Sequence, residues 1–449
     1  MPAVLWNRSY QDLVAKSSNA VPLIIALERS EGDVSTFTTT VFPEGEHTNL
    51  TERYVERLIK FLLWQKGGRT IILGSGSASL AKSLRRSYGA NGPRFFDWEF
   101  VGGRLFLQNL KIEVCAIEDT PSSSTAASPL GRHLQGHRIG FDLGGSDRKA
   151  AAVIDGEVVF SEEIPWDPYF ESDPSYHFNG ICDSLRRAAA HLPQVDAIGG
   201  SAAGVYVDNE VRAGSLFRGV NEADFEQHVR QIFHRVMASE GWAEVPWQVV
   251  NDGEVTALAG SMSLQANAVL GISMGTSLAA GYVDPQGNIM PWLNELAFAP
   301  IDYQTDAPVD EWSGDAGCGV QYFSQQGVAR LAKTAALDFA EDMPFPEQLV
   351  AVQELMETGD ERTLHIYQTL GTCFGYAMAH YHDFYDYEHL LILGRVTSGS
   401  GGEEILHQAD VVLRKEFPEL ADKISMHTPN EKDKRHGQAV AAASLPSLR

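Results

Sequence analysis

Four short segments carry residues whose types and spacing suit phosphoryl chemistry. Asp142 lies at the end of an apolar strand and is followed by Gly144, Gly145 and Ser146. Glycines in a hairpin let backbone N–H groups approach a polyphosphate that a Cβ would hold off. A carboxylate at the strand end suits hydrated Mg²⁺, which keeps several waters and takes one or two carboxylates. The same residues also read as a glycine-rich hairpin whose Asp caps its own turn. Asn251 and Asp252 end a second apolar strand and open an Ala-rich helix. There a carboxylate can accept a proton from a substrate hydroxyl while the adjacent amide orients it, or either side chain simply caps the helix. Gly275, Thr276 and Ser277 form a second strand–turn–strand with small hydroxyl residues at the bend, which suits terminal phosphates. Gly394 and Gly399 flank a glycine-rich loop after the apolar strand HLLIL, with room for an adenosine.

The elements around these segments must hold them in place. HRIGFDLGGSDRKAAAVIDGEVVFSEEIPW reads as three successive strands with turns at GGSD and DGE. Helices and strands then alternate: ICDSLRRAAAHL, VDAIGGSAA, EADFEQHVRQIFHRVMASEG, WQVVND, EVTALAGSM. A strand pair, NAVLGISMGTSLAAGYVD, and a long helical stretch from roughly 320 to 385 lead to HLLILG. Such alternation implies helices packed on sheets. Ahead of all this, PLIIALERSEGDVSTFTTTVF reads as two strands, TERYVERLIKFLLWQ as a helix and RTIILG as a strand. Residues 119–137, small, polar and Pro-bearing, read as a linker.

Composition bounds the function. In 449 residues, 44% hydrophobic and 21% charged, Lys and Arg number 35 against 59 Asp and Glu, a net charge of -24. An acidic surface repels phosphate backbones and anionic membranes, so neither nucleic acid nor membrane is an expected partner. The N-terminus lacks a basic segment followed by an apolar core, so no secretory signal is read and a cytoplasmic location is expected. Cys115, Cys182, Cys318 and Cys373 lie far apart, which disfavours disulfide and zinc frameworks.

The order Asp-Gly-Gly hairpin, Asn-Asp, Gly-Thr hairpin, ILG with glycines resembles the ROK family of sugar kinases and sugar-responsive repressors, in the actin-like ATPase superfamily. The resemblance covers about 138–445. It implies an α/β fold of two actin-like (ribonuclease H-like) domains, 138–255 and 256–434, with an interdomain cleft. The C-terminal helix, 435–449, would pack on the first. It implies that Asp142, Gly144, Gly145 and Ser146 form the first phosphate motif, with Mg²⁺ held by Asp142 through water. Gly275, Thr276 and Ser277 would form the second, with Gly394 and Gly399 also at the nucleotide. Asp252 is the implied catalytic base, and Asn251, Asp252 and Glu295 the substrate contacts. ATP and Mg²⁺ are the implied cofactors, and a sugar or cyclitol the substrate. The family has a His three residues after this Glu; here Phe298 stands in its place. Its Cys-rich zinc loop is reduced to Gly317-Cys318-Gly319, so no zinc is expected. A kinase, or a non-catalytic sugar-sensing relative, follows from the resemblance, and a homodimer stays open.

Residues 1–118 are expected to be an additional α/β module. KFLLWQKGGRTIILGSGSAS echoes HYHDFYDYEHLLILGRVTSGS, and the first hairpin echoes the one at 137–154. A degenerate actin-like half would explain both. The segment 70–83 also approaches a P-loop, with Gly76 and Lys82-Ser83 at the right spacing, but Ala81 stands where the motif needs glycine. A structural turn is the expectation there.

Overall fold

The computed structural model describes residues 1–75, 77–124, 130–428 and 434–448. Gly76 of the P-loop-like segment and residues 125–129 of the expected linker lie outside the described residues.

In β1 (Val21–Ser30) Leu23, Ile25 and Leu27 alternate and are buried, the period of a strand with one face on a core. β1 pairs antiparallel with β2 (Asp33–Val41) and with β3 (Thr70–Gly74), and β3 pairs parallel with β4 (Lys111–Cys115), giving the order β2-β1-β3-β4. The chain enters through helix α1 (Ala3–Val14), which the sequence reading did not anticipate. Helix α2 (Thr48–Lys66) is buried without interruption from Arg57 to Gln65. A helix enclosed all round lies between layers rather than over one. Helix α3 (Ala78–Ser87) starts at Ser77, whose hydroxyl accepts from Leu80 N, and Lys82 is exposed on it.

The middle lobe has three antiparallel strands, β5 (His137–Leu143), β6 (Asp147–Ile154) and β7 (Glu157–Pro165). Parallel strand β8 (Ala197–Ala202) follows, then the short hairpin β9 (Val205–Val207) and β10 (Glu210–Ala213), then β11 (Trp247–Asn251). The sheet order is β11-β8-β5-β6-β7. The sheet of the other lobe runs β13-β12-β14-β15, from β12 (Val269–Met274), β13 (Leu278–Val283), β14 (His389–Leu393) and β15 (Ser425–His427). There β12–β13 is antiparallel and β12–β14–β15 parallel. Helix α4 (Asp252–Leu264) joins the lobes, starting at the end of β11 and packing on β12 and β13. The C-terminal helix α5 (Lys434–Ala443) lies on the middle sheet, where Gly140 and Gly199 leave no Cβ in the way of the Ala439 and Ala442 carbonyls.

Two expectations change. The helical stretch 320–385 is three helices, Gln325–Thr334, Phe345–Glu357 and Glu361–His382. Ala336 at φ 55 and Gly359 at φ 82 turn the chain between them, and Pro344 and Pro346 cannot continue a helix across that point. The N-terminal sheet shares strand order with the β12–β15 sheet, but its β1–β3 pair is antiparallel where β12–β14 is parallel. Strand sense is a topological property that sequence drift does not reverse, so the reading of a degenerate actin-like half is not kept. Nor does the module have a core of its own. One buried cluster runs from Leu23, Phe61 and Trp64 to Leu270, Phe374 and Ile392, whereas the middle lobe closes around Phe141, Leu185 and Phe233. Each large side chain so buried contributes roughly 1.5–3 kcal/mol, which ties the N-terminal module to the β12–β15 lobe.

Candidate functional site

The middle sheet brings Asp142, Ser201 and Asn251 to the carboxyl ends of three adjacent parallel strands. Register pairs Asp142 with Ser201 and Asn251 with Ala202. In open α/β sheets that end is where ligands bind. Asp142 is buried, and the Ser201 hydroxyl donates to its Oδ1 at 2.6 Å. Lys149 pairs across β5–β6 with Asp142; its Nζ is 3.8 Å from Asp142 Oδ2 and 3.0 Å from Asp147 Oδ1. Burial raises the Asp142 carboxyl, while Ser201 and Lys149 oppose the rise. Serine at the β8 end and lysine in the hairpin were not singled out from sequence. Their only signal was position, a small hydroxyl and a cation one strand away from an acid.

Of the two roles the sequence left open, Asn251 takes the capping one. Asn251 Oδ1 accepts from Gly253 N at 2.7 Å, capping α4, and its Nδ2 donates to Gly204 O at 2.7 Å. Asp252 also takes Gly253 N, at 3.0 Å, and among the described residues its carboxylate has no other hydrogen-bond partner. Burial first, and the charge of Asp142 second, push its carboxyl up to about 6. A cavity of about 70 Å³ joins Asp252 to Ser273 on β12 and Leu393 on β14. Glu295 is raised to about 7, by burial and then by the charge of Asp252. The charge of Asp142 thus bears on Asp252, and that of Asp252 on Glu295. Tyr206 is raised by burial and by Asp252.

Each nucleotide-motif glycine has a different surrounding. Gly144 N donates to Asp147 O at 3.0 Å, and the Trp166 indole donates to Gly144 O at 2.8 Å. Gly145 lies against the Tyr169 hydroxyl, where a Cβ would overlap the ring. Ser146 is exposed and donates to Asp147 Oδ2 at 2.8 Å. In the second hairpin Thr276 and Ser277 are exposed, and Gly275 O accepts from Gln325 N at 2.9 Å. Gly394, at φ 100, sits against the Met274 carbonyl, a close approach only glycine allows. Gly399 lines a separate cavity of about 230 Å³ with Gln353, Glu357, Ser398 and Gly401. Glu357 Oε1 accepts from Ser400 N at 3.2 Å and Ser400 Oγ at 2.7 Å there. Gly401 and Gly402 are spent on packing against Tyr367 and Thr397.

No protein-family model and no curated protein matches this sequence. Solved structures do. A ROK hexokinase from Thermus thermophilus aligns at a TM-score of 0.52 and 16% identity, over 68% of this chain and 96% of that one. A ROK family transcriptional regulator, a homologue of the E. coli MLC protein, aligns at 0.51 and 17% identity, over 70% of this chain and 79% of that one. A putative sugar kinase from Cytophaga hutchinsonii aligns at 0.50 and 14% identity, over 69% of this chain and 98% of that one. The fold is the ROK fold.

On that ROK fold the surroundings of Phe298 are aromatic. Phe298 lies 4.4 Å from the Trp64 ring, 5.5 Å from Phe96 and 6.3 Å from Trp312, centroid to centroid. Trp312 is 71% exposed. Cys318 is fully buried, and burial pushes its thiol up to about 11, the opposite of what a metal-bound thiolate needs. Among the described residues no group of three or more His, Cys, Asp or Glu is arranged to hold a metal. Asn294, beside Glu295, was also missed from sequence. Its side chain donates to Glu254 Oε1 and accepts from the Tyr385 hydroxyl at 2.7 Å. Glu254 is buried and raised to about 8, by burial first. Among the described residues no helix is long and apolar enough to cross a membrane.

Proposed function

We propose that this protein is an ATP-dependent kinase acting on a hydroxyl of a sugar or cyclitol. The observation that carries the reading is that the adjacent parallel strands β5, β8 and β11 bring Asp142, Ser201 and Asn251, followed by Asp252, to their carboxyl ends, with burial raising Asp252 to about 6. A carboxyl near that value is ionised at neutral pH yet basic enough to take a proton. Glu295 and Asn251 flank the acceptor. The Asp252 carboxylate takes the hydroxyl proton as the acceptor oxygen bonds to the γ-phosphorus, and the bond from that phosphorus to the β–γ bridging oxygen breaks to release ADP. Backbone N–H groups of Gly145 and Ser146, and of Thr276 and Ser277, hold phosphate oxygens, while Gly144 N and Gly275 N close their own hairpins on Asp147 O and Ser277 O.

The donor set at Asp142 fits Mg²⁺: a buried carboxylate whose charge is disfavoured by burial, beside the Ser201 hydroxyl, all hard oxygen ligands. When bound, the ion neutralises charge on the phosphates. Asp142 orients it, and Ser201 holds Asp142.

A DNA-binding regulator is the less favoured reading, although one ROK structure of similar score is a transcriptional regulator. The N-terminal module here is a four-stranded sheet with helices, and the net charge is -24. The proposed setting is the cytoplasm, without nucleic-acid partners. Acceptor-dependent ADP release across a panel of sugars and cyclitols tests the reading. Release with one acceptor class supports it, and ADP release independent of every acceptor would contradict it.

A further inference from the structure

Helix α2 presents Arg57, Lys60, Phe61, Trp64 and Gln65 at helical spacing toward the β12–β15 lobe. At its C-terminal end the carbonyls of Trp64 and Gln65 have outside partners: Glu295 N donates to Trp64 O and Asn294 N donates to Gln65 O, both at 2.9 Å. The final carbonyls of a helix lack intrahelical donors, and here the substrate segment supplies two. One turn earlier, Arg57 Nη1 and Lys60 Nζ each lie 2.9 Å from Asp315 Oδ2, and Arg94 pairs with Asp315 Oδ1. These cations hold the Asp315 carboxyl far below the usual range against its burial. Glu56 and Asp97 balance them, Glu56 against Arg57 and Arg94, and Asp97 against Lys60 at 3.2 Å. Trp64 Nε1 donates to Asp97 Oδ1 at 2.7 Å, closing the network on the helix that bears it.

The chain after Asp315 is hydrogen-bonded to the chain after Glu295. Val320 N donates to Ala297 O and Gly319 N to Ala299 O, both at 3.0 Å, and Ile301 N donates to Gly317 O at 2.9 Å. Residues 294–301 are thus clamped on two sides. One clamp is the end of α2, and the other is the 315–320 segment, itself pinned to the same helix.

We infer that the N-terminal module is a working part of the acceptor site: α2, through Arg57, Lys60 and the Asp315 cluster, sets the position of Glu295. Arg57 and Asp315 are positioning residues. They touch neither acceptor nor nucleotide, and they fix the segment carrying the group that does. The buried cation–carboxylate cluster orders this segment. This inference rests on the kinase reading for its kinetic consequences, but not for its structural ones.

The test uses the full-length chain with Arg57→Ala, Arg57→Lys and Asp315→Asn, and Val236→Ala in the middle-lobe core as a stability control. Amide hydrogen exchange is followed at Asn294 and Glu295, and KM is measured separately for acceptor and ATP. Arg57→Ala and Asp315→Asn are expected to speed exchange at those two amides at least tenfold and leave the Gly144 hairpin unchanged. Acceptor KM is expected to rise at least tenfold with ATP KM within twofold. Arg57→Lys should recover most of both effects. Val236→Ala should lower Tm without moving either readout. Unchanged exchange at Asn294 and Glu295 in folded Arg57→Ala would overturn the clamp. Faster exchange with no phosphoryl transfer by any protein, wild type included, would uphold the clamp and sink the kinase reading instead. Equal rises in acceptor and ATP KM would overturn the positioning role.

Discussion

Asp252 is held at about 6 by its burial first and by the charge of Asp142 second. A base must be ionised to accept a proton. Turnover should therefore rise with pH along a limb centred near 6. A profile of kcat/KM from about pH 4.5 to 8 checks this, and a flat profile across that range would exclude Asp252 as the titrating base.

Asp252→Asn should lower turnover by about two to four orders of magnitude, the usual weight of a positioned base. Its stability effect has the opposite sign. The folded-state value lies above the ordinary 3.8, so the carboxyl's contribution is favourable below that value and is lost as pH rises through about 6. At neutral pH the variant should melt no lower than wild type. An active Asp252→Asn protein would remove the catalytic assignment.

Glu254 extends the same logic to a group outside the chemistry. Burial raises it from 4.5 to about 8, so its stabilising contribution is full below the ordinary value and is lost as pH rises through about 8. Glu254→Gln should flatten the decline in Tm between about pH 5 and 8, the interval between the ordinary and the raised value. An identical decline in both proteins would show that the carboxyl is not protonated near neutrality.

Asp142→Ala should weaken productive Mg·ATP binding, and chelators should stop turnover through loss of Mg²⁺ alone. Melting in the presence of a chelator should be unchanged, because Asp315 and its cations do the ordering. Elemental analysis finding one tightly held zinc per chain would contradict this.

Gly145→Ala places a methyl against the Tyr169 ring. Overpacking of this kind costs about 1–3 kcal/mol. The double variant with Tyr169→Ala should recover Tm but not nucleotide affinity, since the methyl still stands off the phosphates. Full recovery of both would make the glycine a packing device only.

What the sequence disclosed and what it hid follow from range. The strand–turn–helix order of 137–283, apart from the short hairpin β9–β10 that went unread, was legible because the period of apolar residues and the turn residues are local signals. Asp142, Asn251, Asp252 and the hairpin glycines were legible for the same reason, each being a short pattern at a strand end. Ser201 and Lys149 were not, because their relation to Asp142 exists only across strand pairs. Glu295 was seen, but its support was not. Trp64 and Gln65 precede it by more than two hundred residues, and their contribution is made by backbone carbonyls that no side-chain pattern reports. The three cations on Asp315 come from two segments of the N-terminal module, so nothing local in the helix TERYVERLIKFLLWQ pointed to Arg57 and Lys60. The strand sense of β3 was equally hidden, since an apolar run carries no direction. The three helices between 325 and 382 were merged because Phe345-Pro346 was read as part of one periodic stretch.

The most direct measurement is single-turnover transfer from γ-labelled ATP by wild type and Asp252→Asn, side by side, over sugars and cyclitols. The account predicts label on the hydroxyl of one acceptor class with wild type, and loss of most of that label with Asp252→Asn. Label appearing only as inorganic phosphate, or equally on acceptor with both proteins, would contradict it.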